Sequence, residues 1–168
     1  VVKVAGDFQY QMARLGAISG ASSNELNKLE KSARKAGETT IFSASQSAEA
    51  LTNLAQAGFS VDEAIGALSG TLAMASALNL DLGSSAELIA NQIRAFKLEA
   101  KDADRIANLL SASITKSNAS FDKLQYSLKY TAPLFNTLNW SIEDNVSALS
   151  LLYNVGYAGE QAGTILRG

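Results

Sequence analysis

Neither cysteine nor histidine occurs in the 168 residues. Their absence removes disulfide frameworks, the usual zinc ligand sets, Ser-His-Asp triads and cysteine nucleophiles at once. Carboxylates and lysines are left as the side chains for any catalysis, and no cofactor or metal is expected. Proline occurs once, at Pro133. Charge is also scarce: 18% of residues are charged and the net charge is −2, little for a helical monomer that covers its outer faces with Lys and Glu. Some helical faces are therefore expected to meet other protein. With a pI of about 5.2, the chain lacks the basic footprint of a DNA binder, and no sequence-specific nucleic acid partner is expected. No basic start leads into an apolar run with a small-residue cleavage site, so no signal peptide is read. The uncharged run from Ala64 to Leu80 carries Ser69, Thr71, Ser76 and Asn79 and falls short of the roughly 20 residues that span a bilayer. It reads as a buried core helix, and membrane contact is expected only for other parts of a longer chain.

What is present is a helix start written twice. Phe59-Ser-Val-Asp-Glu-Ala-Ile-Gly-Ala-Leu-Ser69 and Trp140-Ser-Ile-Glu-Asp-Asn-Val-Ser-Ala-Leu-Ser150 share an aromatic, a serine, a β-branched residue, two acids and an apolar stripe. In each, the serine can cap the first turn, the acids sit at the positive end of the helix dipole, and Glu63 or Asp144 can complete a capping box. A duplicated opening implies a duplicated helical unit.

Along the chain, Val1, Val4, Phe8, Gln11, Leu15 and Ile18 follow coiled-coil spacing over a run too short to establish one. Residues 1–22 read as a helix entering from upstream, either the end of a coiled coil or an amphipathic helix docked on the domain, followed by a turn at Gly16 to Ser23. Residues 23–168 read as one helical core module. A helix from Ser23 or Asn24 carries Leu26, Leu29, Ala33 and Ala36 inward and is expected to stop at a left-handed Gly37. Punctuation then recurs at about 40 residues, a period typical of stacked helical hairpins. Ser45 is expected to cap a helix ending at Gly58, and Ser60 its partner, which runs to Asn79. The second hairpin runs out from Asp81–Ser84 to Phe96 and back from Lys101 to Lys116. The third goes out from Ser120 through Phe121, Leu124, Leu128 and Leu138, and back from Ser141 to Val155. Pro133 is expected to kink or break its outgoing helix. Gly156 and Gly163 complete the expected set of caps and turns. No segment alternates like a strand. The fold is expected to be all-α: a compact array of about seven to nine helices, arranged largely as antiparallel hairpins. Expected core positions are Leu51, Leu54, Ile65, Leu68, Leu72, Ile106, Leu110, Val146 and Leu149. Small residues such as Ala64, Gly66, Ala67, Gly70 and Ala73 at helical spacing let helix axes approach closely.

A further pattern runs through Gly6-Asp-Phe-Gln-Tyr-Gln-Met12, Ser19-Gly-Ala-Ser22, Ala33-Arg-Lys-Ala-Gly37, Thr40-Ile-Phe-Ser43 and Ala48-Glu-Ala-Leu-Thr-Asn-Leu-Ala-Gln-Ala-Gly-Phe-Ser60. It continues through Ala64 to Leu68, Ala95-Phe96 and Arg105 to Gly156-Tyr-Ala-Gly-Glu-Gln-Ala-Gly-Thr-Ile-Leu-Arg167. In these residues the chain resembles the core region of phage tail tape measure proteins. Lys97 and Asn139 depart from the pattern at turn positions where the family more often has Gly, and Asn accepts the left-handed conformation better than Lys. The family implies long, mostly helical chains that lie in the lumen of a growing tail tube, fix its length by their own length, and leave before or with the DNA. By the same resemblance the expected location is the virion, inside a phage tail or phage-tail-like particle, with host cytoplasm during assembly. The implied partners are further copies of the chain (a trimer or hexamer), tail tube, tail tip or baseplate proteins, and tail assembly chaperones. The chain starts at Val1 and stops at Arg167-Gly168 in mid-pattern, and is expected to be a piece of something longer, truncated at both ends.

Chemical readings compete with bland ones. The acid pairs Asp62/Glu63, Asp102/Asp104 and Glu143/Asp144 could form a glycosidase-like couple, but each lies in the first turn of an expected helix, where acids compensate the dipole. Gly66-x-x-x-Gly70 lacks the Gly-Lys-Ser/Thr ending of a phosphate loop. Lys28, Lys31 and Lys35 share a face but are diluted by Glu25, Glu30 and Glu38, a solvated helix surface. Phe121, Tyr126, Tyr130, Phe135 and Trp140 read as core before stacking platform. The chain is therefore expected not to be an enzyme. A helical-repeat protein-interaction adaptor is the alternative function, and a non-catalytic neighbour of a cell-wall hydrolase the weaker one.

Overall fold

Six of the helix starts are fixed by a side chain three residues before its partner. In the computed structural model, which describes residues 2–157 and 159–167, the helices are α1 (Val2–Ser19), α2 (Ser23–Thr39), α3 (Ala44–Gln56), α4 (Val61–Leu78), α5 (Leu82–Ala95), α6 (Ala103–Lys116), α7 (Phe121–Thr137), α8 (Ile142–Asn154) and α9 (Glu160–Arg167), with a 3-10 turn at Ala100–Asp102 before α6. Full capping boxes open α2 (Ser22 with Glu25), α3 (Ser43 with Gln46), α4 (Ser60 with Glu63) and α8 (Ser141 with Asp144). Asp81 and Ser120 accept from the third amide of α5 and α7. Each satisfies donors that the first turn leaves without partners. Among the described residues the protein is all-α.

Five turns close by one device. Gly58, Asn79, Lys97, Asn139 and Gly156 hold positive φ, from 52° to 98°. The next residue in each case donates its amide back across the turn: Phe59 to Leu54, Leu80 to Ala75, Leu98 to Ile93, Trp140 to Phe135 and Tyr157 to Leu152. This is the six-to-one bond of a Schellman motif, and all five donors are apolar or aromatic residues that can pack back on their acceptor. The edge-on Phe135–Trp140 pair, 5.2 Å between centroids, is that contact. Lys97 is the one long charged side chain in the set; Lys97→Gly should raise stability by about 1 kcal/mol, less than the full left-handed penalty because glycine loosens the unfolded chain. Urea unfolding of the two proteins checks it.

Alternate helices pack most extensively: α1 on α3, α4 on α6, α7 on α9. Sequential neighbours α2/α3, α3/α4, α4/α5 and α7/α8 join them. The resulting core holds Leu51, Leu54, Leu72, Ile106, Leu110 and Leu149, all at most 2% exposed, with Leu68 and Val146 also buried. Ile65 is only half-buried, at the edge of that core, because α4 turns its Ala64, Ala67 and Leu68 inward instead. Leu138 is 51% exposed, past the end of α7, where no neighbour covers it. On α1 the inward residues are Phe8, Met12 and Leu15, with Ile18 exposed; the seam positions Val1 and the Val4 side chain lie outside the described residues, as do Ala158 and Gly168.

α7 runs uninterrupted through Pro133. The proline removes the amide that would reach Lys129, but both residues face solvent, so the freed carbonyl can bond water. Buried Leu128, Thr131, Ala132 and Phe135 hold the helix on either side.

The cap carboxylates make part of this stability titrate. The Ser22 hydroxyl and amide hold Glu25 below the usual carboxylate range, the Ser60 amide and hydroxyl do so for Glu63, the Ser84 hydroxyl and amide for Asp81, and the Ser141 hydroxyl and amide for Asp144. Depressed folded pKa values mean that this stabilisation is complete above the unfolded value of about 4 and is lost as pH falls through the lower folded values. Thermal melts should therefore show Tm falling on acidification below about pH 4, with Glu63→Gln keeping the box and flattening the slope. The α3 box, built on Gln46, does not titrate.

Candidate assembly surface

Cap and turn residues were the sequence's candidates, and the structure gives them different places. Ser60 and Ser141 are N-caps: the Glu63 carboxylate accepts from the Ser60 amide at 2.8 Å, and the Asp144 carboxylate from the Ser141 amide at 2.9 Å. Gly58 (φ 86°) and Gly156 (φ 98°) are left-handed turn residues. Ser45 is not a cap; it lies in the first turn of α3, whose cap is Ser43 two residues earlier. Gln46, three residues after Ser43, returns the reciprocal bond at 2.9 Å, whereas the residue three after Ser45 is Ala48. Gly37 is not a helix stop either. α2 continues to Thr39, and Gly37 is where the start of α3 crosses it: a Cβ there would lie 2.5 Å from the Ala44 nitrogen and 2.9 Å from its Cα. Gly163 likewise lies inside α9, buried, where a Cβ would meet Tyr130 Cβ at 3.2 Å and the Ser127 carbonyl at 3.3 Å. Its role is close packing of α9 on α7.

One further glycine acts the same way. A Cβ on Gly70 would overlap the Ala103 carbonyl and stand 2.8 Å from the Asp104 nitrogen, and one on Gly66 would touch Ala100 at 3.6 Å. Gly70 lets the start of α6 lie on the backbone of α4, whereas a Cβ at Gly66 would only reach ordinary contact with the 3-10 turn.

Five of the six acids in these pairs are engaged structurally. Asp62 pairs with Lys28 at 3.1 Å, Glu63 closes its capping box, and Asp102 accepts from the Glu99 amide at 3.1 Å. Arg105 bridges Asp102 and Glu143, which draw it towards the charged form, Glu143 foremost. That bridge ties the start of α6 to the start of α8. Among the basic residues of α2, Arg34 pairs with Glu30 and covers the Phe8 ring, 4.4 Å from its centroid. Arg94 similarly lies over Phe59 at 5.5 Å and fills the space beside Gly58. Among the described residues no cluster of acids could hold a metal ion, and no helix is long and apolar enough to cross a membrane.

Several large apolar residues also remain uncovered. Leu151 on α8 and Val155 just past its end are each 70% exposed, Tyr157 and Ile165 are 48% exposed, and Trp140 at the α7–α8 turn is 55% exposed. A groove of about 370 Å³ runs between α6 and α8 beside Leu151, floored by the Ser113–Ser150 hydroxyl pair. Another of about 440 Å³ separates α5 from α7, with the buried Gln92 side-chain oxygen unpartnered on its wall. Exposed apolar residues mark contact with other protein where they form one contiguous patch. The apolar residues of α8 could be counted from the sequence; which of its faces stays bare could not, since that depends on which helix comes to lie on it.

The model of a family described as phage-related minor tail protein matches residues 30–168. The chain is 36% identical over 167 residues to a tape measure protein of Pneumococcus phage Dp-1, covering 99% of this chain and 14% of that protein. It is 32% identical over 160 residues to a probable tape measure protein of Escherichia phage P2, covering 94% of this chain and 20% of that protein. The chain thus spans only a small part of the length of these relatives. No solved structure matches it.

Proposed function

The chain belongs to the phage-related minor tail protein family, and from that membership we propose that it is a folded docking module of a tail tape measure protein. In this reading the parent chain takes part in tail assembly and length determination and in genome injection. This segment contributes attachment and not length. One observation carries it: α1 packs on α3, α4 on α6 and α7 on α9, so the chain folds back on itself repeatedly. As one straight helix the same residues would reach about 250 Å, at ~1.5 Å per residue; folded, they add little to a ruler. The likeness to two tape measure proteins over nearly the whole chain supports placing the module in the tail of a virion, with host cytoplasm as the place of assembly.

Scarce charge and the bare apolar residues of α8 and the α7–α8 turn support protein partners: tail tube, tip or baseplate proteins, assembly chaperones, and copies of the chain in threes or sixes. The internal helix repetition gives the adaptor reading a place within this one, as the mode by which the module docks. Mass spectrometry of purified tails should recover peptides of this chain, and a phage lacking its gene should make no tails of normal length. Normal tails assembled without the chain would contradict the proposal.

A further inference from the structure

The helices form two bodies that meet along a sparse seam. Extensive packing of α1 and α2 on α3 and of α4 on α6 knits α1 to α6 together, and α7 to α9 are knit by α8 and α9 lying on α7. Within the second body the Ser127 hydroxyl donates to the Gly159 carbonyl at 2.6 Å, and Gly163 lets α9 approach Tyr130. Across the line between the bodies α5 meets α7, and α6 meets α8, far less than α6 meets α4.

Grooves run along that line. Besides those of about 370 Å³ between α6 and α8 and about 440 Å³ between α5 and α7, one of about 310 Å³ has Phe96, Leu98 and Arg105 on one wall and Asn136, Trp140 and Ile142 on the other. Atoms that line a groove lack partners on one side and forfeit the dispersion attraction that close packing supplies. The polar contacts across the seam are sparse as well. Among the described residues they are the Ser113–Ser150 hydroxyl pair at 2.8 Å, the Asn118 amide donating to Asn154 Oδ1 at 3.2 Å, and the Arg105–Glu143 ion pair. The last two are solvent-exposed, where such contacts contribute little. On the α5 wall Gln92 is 3% exposed with its side-chain oxygen unpartnered, a buried polar atom that closing the seam leaves unsatisfied.

We propose that this seam is a parting line, along which α7–α9 opens as one cooperative unit while α1–α6 stays folded. Residues 117–120, between α6 and α7, are the hinge. A three-helix unit of this size is marginal alone, so on leaving α5 and α6 it unfolds. The open state bares apolar residues of the seam such as Leu88, Phe96 and Leu109 without loss of the first body, which gives the module a second shape at less cost than unfolding.

Native-state hydrogen exchange of the purified full-length protein, read peptide by peptide by mass spectrometry in urea below the unfolding transition, tests this on the wild type. The slowest amides of α7 and α8 should exchange at least about tenfold faster than the slowest of α3 and α4, and share one shallower urea dependence because the open state exposes only part of the surface. Two conservative changes then separate partial from global opening. Ile89→Val on α5 and Leu54→Met on α3 alter side chains that are 0% exposed and line none of the seam grooves. The native and open states lose the same packing, so exchange in α3 and α4 should quicken by about two- to tenfold while α7 and α8 keep their rates. Equal protection in all four helices would overturn the proposal. So would unrelated urea dependences within α7 and α8, which mean fraying, or α7 and α8 quickening in step with α3 and α4 in both variants.

Discussion

Gly70→Val should abolish cooperative thermal unfolding of the module or lower its Tm more than any other single change considered for it. The new Cβ would overlap the carbonyl of Ala103 and approach the Asp104 nitrogen at 2.8 Å. These are backbone atoms of the 3-10 turn and α6, which cannot rotate away as a side-chain end can. Overpacking a well-filled site destabilises by about 1–3 kcal/mol, and occasionally more; a backbone obstacle places Gly70 at or beyond the upper end. Helix propensity works in the opposite direction, since alanine is better than glycine in a helix interior by roughly 1 kcal/mol. Gly6 separates the two effects. A Cβ there meets nothing within 4 Å, so Gly6→Ala should stabilise by about 0.5–1 kcal/mol while Gly70→Ala destabilises. If Gly70→Ala were neutral or stabilising, α6 would not lie on α4 as described.

Leu110→Ala should remove about 2–5 kcal/mol, through lost apolar transfer and the cavity left behind. Leu110 is 0% exposed on α6, among the largest fully buried side chains. Ile65→Ala, at a half-buried position bordering an open groove with Leu68 and Leu72, should fall below that range because solvent and neighbours already reach the site. Denaturant titration of both variants reads the difference directly, with unchanged m-values showing that the unfolded reference is the same.

The helix starts were legible because capping is local. Ser-x-x-Glu or Ser-x-x-Asp before an apolar stripe supplies both halves of the bond within four residues, and Ser60 and Ser141 lie where that logic puts them. At α3 two serines stood two residues apart, and only the glutamine three after Ser43 distinguishes them. The glycines were harder for a physical reason. Glycine near a helix end permits a left-handed turn, and glycine within a helix permits another backbone to approach, and a short window of sequence looks the same in both cases. Gly58 is the first kind; Gly37 and Gly163 are the second, and what decides them is Ala44 and Tyr130, residues on other helices. The pairing of α4 with α6 was hidden for the same reason, since sequential helices were the natural partners to expect. Small residues on α4 pointed to a close neighbour without saying which.

The tails themselves give the most direct test. In-frame deletions of increasing size within residues 45–155 of the parent chain, measured by electron microscopy of the resulting particles, separate a folded module from a ruler. The account predicts that such deletions, like Gly70→Val, reduce the number of assembled or infective particles while those that form keep full tail length. Viable tails shortened in proportion to the residues removed, by about 1.5 Å each, would mean that this segment is extended in the tube and would contradict the account.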